Sequence, residues 1–115
     1  MAIERIKAGP RMSQAVVHGN TVYLAGQVAD DARADVAGQT RQVLAKIDGL
    51  LAEAGTDKSK ILFANVWLSD ISTFEQMNTV WDAWVTPGMP PARATVESKL
   101  AGPQFKVEIS VVAAI

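Results

Sequence analysis

The order of apolar and polar positions divides the chain into strand-like and helix-like stretches. From Ile3 to Lys7 apolar and charged residues alternate, the period of a half-exposed strand, until Gly9-Pro10 interrupts it. Gln14 to Val28 reads as a hairpin: Ala15-Val16-Val17 is one arm, His18-Gly19-Asn20 the turn and Thr21 to Val28 the other arm, with Gly19-Asn20 supplying residues that tolerate positive φ. Ala29 to Ala34 is polar and acidic, a surface loop. Asp35 to Ala54 changes period. Val36, Thr40, Val43, Leu44, Ile47, Leu50, Leu51 and Ala54 fall on one helical stripe, with Asp35 as its cap and Gly55 as its stop. Gly38 and Gly49 each weaken that helix by about 1 kcal/mol relative to Ala, which suggests close backbone packing at both points.

Lys60 to Leu68 is apolar on both faces, as a central strand is. Ser72-Thr73-Phe74-Glu75 has the form of a capping box. It opens a second helix whose apolar face is Phe74, Met77, Trp81, Trp84 and Val85 and which Pro87 ends. Arg93 to Ser98 and Phe105 to Ala113 are the last two strands, joined by a loop holding Gly102-Pro103. The order β-ββ-α-β-α-ββ predicts an α+β fold, a mixed β-sheet with two helices on one face. The opposite face then lacks cover within the chain, and self-association is the simplest way to bury it.

Composition narrows the function. At 115 residues the chain fits one domain, 1–115, with a modest core. Hydrophobic residues make up 49% and charged residues 20%, and 11 Lys and Arg against 12 Asp and Glu leave a formal net charge of −1. No basic excess marks a nucleic-acid partner or an anionic membrane surface. The absence of cysteine removes disulfides, thiol nucleophiles and cysteine-based zinc sites. A single histidine argues against a Ser-His or multi-histidine metal mechanism within one chain, and His18, in a turn, is given no role. The start, Met1-Ala2-Ile3-Glu4-Arg5, lacks a long apolar stretch, so a cytoplasmic location is expected.

Few residues remain to carry chemistry. Phe105, Val107, Ile109 and Val111 point to one side of the last strand and Lys106, Glu108 and Ser110 to the other. A mid-strand carboxylate is solvated, paired or functional, and solvation is the plainer reading of Glu108. Pro90-Pro91-Ala92-Arg93-Ala94-Thr95 gives Arg93 a stiff lead-in suited to bidentate capture of a carboxylate; the plainer reading is a rim arginine paired with a nearby acid. An antiparallel hairpin of the last two strands about Leu100-Ala101 would set Arg93 near Glu108. Gly26, at a strand end, permits close approach of a ligand or a second backbone, or marks a bulge. Asn78, between Met77 and Trp81, reads as a helix-surface amide. Trp67, Trp81 and Trp84, without clustered basic residues, belong to a core or a subunit interface rather than to a stack of bases.

In sequence the chain resembles the Rid family, the reactive-intermediate (enamine/imine) deaminases once called YjgF-type proteins. The likeness runs through Gly19-Asn20, Val22-Tyr23-Leu24-Ala25-Gly26-Gln27-Val28, Gln39-Thr40-Arg41-Gln42-Val43-Leu44, Val66-Trp67-Leu68-Ser69-Asp70, Phe74-Glu75-Gln76-Met77-Asn78, Pro91-Ala92-Arg93-Ala94-Thr95-Val96-Glu97 and Val107-Glu108-Ile109. It implies a chorismate-mutase-like fold and a homotrimer with a central β-barrel, its clefts lying between neighbouring subunits. It also implies hydrolysis of small 2-imino acids to 2-keto acids and ammonia without metal or organic cofactor. By the same resemblance Arg93 binds the substrate carboxylate, Glu108 positions the attacking water, and Asn78 and Gly26 line the cleft. Two positions depart from the deaminating pattern. Met12 stands where a tyrosine is common, and Ala25 where a serine precedes the cleft glycine. Both changes remove polar contacts to substrate. They leave open a second reading, a cleft that binds a small carboxylate without turning it over; a single-strand ribonuclease ranks behind both on charge.

Overall fold

In the computed structural model, which describes residues 1–115, the alternating stretches become strands and the two stripes become helices. In chain order these are β1 (Ile3–Ile6), β2 (Ala15–His18), β3 (Thr21–Leu24), α1 (Val36–Glu53), β4 (Ile61–Leu68), α2 (Phe74–Trp84), β5 (Ala92–Glu97) and β6 (Val107–Ala114). The β2–β3 turn is tight because Gly19 takes φ +63, a conformation that L side chains resist. Asp35 caps α1 by accepting from the Gly38 N–H at 2.9 Å. Close packing holds at Gly38, where a Cβ would stand 2.9 Å from that of Ala34. It fails at Gly49, which looks outward and has nothing within 4 Å.

The entry to α2 differs from the capping box expected at Ser72. A single 3-10 turn, Ile71–Thr73, precedes the helix, and Asp70 caps it by accepting from the Ser72 N–H at 2.9 Å and the Ser72 hydroxyl at 2.7 Å. Thr73, the residue before α2, makes no side-chain cap. The reason is local: a carboxylate with extended backbone is the stronger acceptor, and it captures the serine that would otherwise have capped the helix itself.

The sheet has the order β1-β2-β3-β6-β4-β5. All neighbours run antiparallel except β4 and β5, which α2 joins as a parallel crossover. The expected β5–β6 hairpin does not form. After β5 the chain crosses β4 and lays β6 between β3 and β4, where a long strand with an apolar face has neighbours on both edges.

Both helices cover one face, where Ala15, Val22, Leu24, Ala64, Val66, Leu68, Val107, Ile109 and Val111 join Val43, Leu44, Ile47, Leu51, Met77 and Trp81 in one hydrophobic cluster. The other face is bare. Val16, Tyr23, Val112, Phe63 and Ala92 follow one another across it in register. Tyr23 is 50% exposed, Phe63 39% and Val96 49%. No helix is long and apolar enough to cross a membrane.

Candidate functional site

Arg93 lies on β5, a sheet edge, opposite the buried Ala64 of β4, and so projects to the helix-covered side. Its guanidinium carbon sits 5.0 Å from the Trp81 ring centroid and 5.8 Å from that of Phe74. Neither a salt bridge nor a hydrogen bond engages it: the ion pairs of the chain are Lys7–Glu53, Arg33–Asp31 and Lys46–Asp30. Burial lowers the guanidinium pKa and the charge of Asp82 partly offsets this, so the group stays cationic. Phe74, Asn78 and Trp81 share one stripe of α2 at spacings of four and three residues, which puts Asn78 between the rings that carry Arg93. Two aromatic faces thus steer a cation while leaving its N–H donors uncommitted.

Glu108 belongs to the bare face. It pairs with Trp67 across β4, and its carboxylate rests on Gly26. A Cβ at position 26 would lie 2.9 Å from the Glu108 Cδ and would collide with its Oε2, so glycine is required by the approach of the carboxylate. Gly26 falls in a gap of the sheet. β3 ends at Leu24, four residues short of the strand expected to reach Val28, and contact with β6 resumes at an isolated bridge between Gln27 and Ile109. There the two backbones exchange hydrogen bonds of 2.8 and 3.2 Å, while the N–H of Gly26 makes none within the chain. Ala25 donates to the carbonyl of Gln14 at 2.9 Å, so the 12–14 segment runs beside the glycine. Met12 itself is 49% exposed, its carbonyl closing a turn with the N–H of Gly9.

The six candidate residues therefore form two groups. Glu108, Gly26 and Ala25, with the segment of Met12 alongside, make one; Arg93 and Asn78 make the other. Within one chain the groups do not meet. β4 separates Arg93 from Glu108 by two strand spacings, roughly 10 Å, their rows are offset by three residues, and they project to opposite faces. The proximity expected from a terminal hairpin is corrected by the sheet order.

Sequence reasoning missed two buried glutamines. The Gln39 side chain donates to the carbonyls of Ala32, Ala34 and Gln104 and accepts from the Lys106 N–H at 2.9 Å, fixing the entry to β6 two residues before Glu108. Gln27 does the equivalent for the 25–27 segment. For Gln39 the available signal was a polar residue on the inward stripe of α1, three residues after Val36.

Known proteins share this framework. The family model for Endoribonuclease L-PSP matches residues 2–115. The RutC family protein YoaB of Escherichia coli is 46% identical over 115 residues, covering 100% of both chains. A RutC family protein of Haemophilus ducreyi is 45% identical over 98% of this chain and 97% of its own. Among solved structures, a YjgF family member from Neisseria meningitidis superimposes with a TM-score of 0.96 at 44% identity, covering 99% of this chain and 95% of that one. A Rid family protein from Yersinia pestis gives 0.90 at 32%, covering 99% and 100%.

Proposed function

The chain belongs to the Rid family, the YjgF and L-PSP proteins, and from that premise we propose that it hydrolyses small 2-imino acids to 2-keto acids and ammonia in clefts between neighbouring copies. The observation that carries this reading is the uncommitted guanidinium of Arg93, held over Phe74 and Trp81 at a sheet edge. A carboxylate ligand would take two of its N–H donors, each charge-assisted bond contributing about 1.5–3 kcal/mol. An iminium carbon is already electrophilic, so a held substrate and an oriented water suffice for attack. Glu108 supplies the acceptor for that water, and the free N–H of Gly26 adds a donor beside it.

Because the two groups face away from each other within a chain, the cleft takes Arg93 from one copy and Glu108 from another. The bare face, with Tyr23, Phe63 and Val96 in the open, supports such an assembly, and burying each large side chain there contributes about 1.5–3 kcal/mol. We assign the assembly as the homotrimer with a central barrel that the family resemblance implies.

The test is complementation. Arg93→Ala and Glu108→Gln should each abolish keto-acid release when an amino-acid oxidase supplies the imine. Refolded together in equal amounts, they should recover about a quarter of the parental rate, since a random assembly pairs an intact arginine with an intact glutamate in one cleft of four. No recovery from two correctly assembled variants places both groups in one chain and rejects the arrangement. Ala25, which offers no hydroxyl beside Gly26, favours a second reading in which the same cleft binds a carboxylate without turnover. Thermal stabilisation by 2-keto acids, lost in Arg93→Ala and unaccompanied by catalysis, would select it.

A further inference from the structure

Gln27 is 3% exposed, and its carboxamide is fully occupied on the donor side. The Nε2 lies 3.0 Å from the Gln14 Oε1 and 3.0 Å from the carbonyl oxygen of Ala25. A carbonyl oxygen can only accept, so the atom facing Ala25 is the NH2 group and the amide orientation is fixed by chemistry. The backbone of the same residue exchanges both of its hydrogen bonds with Ile109, the residue after Glu108. Gln27 thus fastens the 25–27 segment in two directions, to β6 through its backbone and to the segment of Met12 and Gln14 through its side chain.

Gly26 sits between these fixed points. The peptide before it is tied through the Ala25 carbonyl, the peptide before that through the Ala25 N–H, and the peptide after it through the Gln27 N–H. Glu108 rests on the glycine so restrained. A buried amide is stabilising only when its partners are present, and of the two donors of this one, one holds the Ala25 carbonyl under the carboxylate and the other ties to the Gln14 side chain. We infer that Gln27 is a positioning residue for Glu108: its carboxamide sets where Gly26 lies and hence where the carboxylate that orients the water stands. The inference rests on the proposed role of Glu108 and adds to it a residue that touches no substrate.

Gln27→Met keeps volume and removes the hydrogen bonds; Gln14→Leu leaves Gln27 in place and removes one partner, which decides the matter if the first variant folds poorly. In the coupled imine assay Gln27→Met should lower kcat about tenfold or more with KM changed less than about twofold, because Arg93 is held by Phe74 and Trp81, which Gln27 does not hold, and still binds the carboxylate. Gln14→Leu should show the same split with a smaller loss, roughly threefold in kcat. A kcat equal to the parent's in both, or a loss that appears in KM alone, overturns the assignment. Glu108→Gln run beside them separates the two claims: full activity there overturns the role of Glu108 and the assignment with it, whereas a dead Glu108→Gln with an unchanged Gln27→Met overturns the assignment alone. A crystal structure of Gln27→Met gives a readout apart from turnover. Displacement of the Glu108 carboxylate from Gly26 supports the positioning role, and a carboxylate unmoved overturns it.

Discussion

Arg93 stands on an edge strand and is steered by two aromatic rings; Glu108 stands on a central strand and is steered by backbone. The first region has one strand neighbour and a helix that carries Phe74, Asn78 and Trp81, and its functional group is set by aromatic faces. The second has strand neighbours on both sides, a glycine fitted under the carboxylate, and amide groups holding that glycine in place. π-Faces attract a cation over a broad arc and leave it free to turn toward a ligand. Steric contact and hydrogen bonds fix a group in one place. The difference suits the two tasks assigned here, since a carboxylate binder adapts to its ligand and a water-orienting acid must already be in position.

The comparison breaks most readily at Gly26. Gly26→Ala puts a methyl group where the Glu108 carboxylate lies, and the flexible end of that side chain is what must yield. Stability should change by only about 1 kcal/mol, while kcat falls by about two orders of magnitude or more, as for loss of the acid itself. Thermal melts and the coupled assay on the same protein check it; a variant that keeps its kcat shows that the carboxylate need not rest there. A smaller effect is expected on the other side. Phe74→Leu removes one ring from under Arg93 and keeps an apolar residue against the core. At about 0.5–1 kcal/mol for a partly exposed cation–π contact, KM should rise about two- to fivefold with kcat unaltered. A fall in kcat instead would mean that Phe74 acts on more than carboxylate binding.

Much of the framework was legible because it is local. Alternation marks β1 to β3, the stripe from Val36 to Leu51 marks α1, and Asp35, a capping residue type just ahead of that stripe, is its cap. What escaped depends on partners distant in sequence. Consecutive strands usually pair, which made a β5–β6 hairpin the natural expectation, yet the greater burial of β6 at the sheet centre decided its place. That one choice put β4 between Arg93 and Glu108, and their registers against β4 set them on opposite faces. The Gly26–Glu108 contact, by contrast, had a sequence trace on each side, a strand-end glycine and a mid-strand acid, although nothing in either segment names the other. Gln27 left no periodic signal, since a lone glutamine after a strand reads as surface until its neighbours are known.

The two regions should also part company in acid. The platform under Arg93 begins at the turn that Asp70 caps, and the Ile71 N–H there is tied to the Glu97 side chain of β5 at 3.0 Å. The Glu108 region is tied by Gln27, Gln14 and backbone, which do not titrate. Hydrogen bonds from the Ser72 hydroxyl and then the Ser72 N–H hold the Asp70 carboxyl below its ordinary pKa. A group depressed in the folded state contributes stability that is complete above the unfolded value, about 3.9, and is lost as pH falls through the folded one. Asp70→Asn keeps a cap acceptor and removes the titration. At neutral pH the parent should melt slightly above the variant. Below about pH 4 the gap should close as the parent loses the contribution of an ionised Asp70. Asp31 and Asp57, also depressed by hydrogen bonds from neighbours, are common to both proteins and cancel. A gap constant from neutral to acid would mean that the ionised cap does not hold the start of α2.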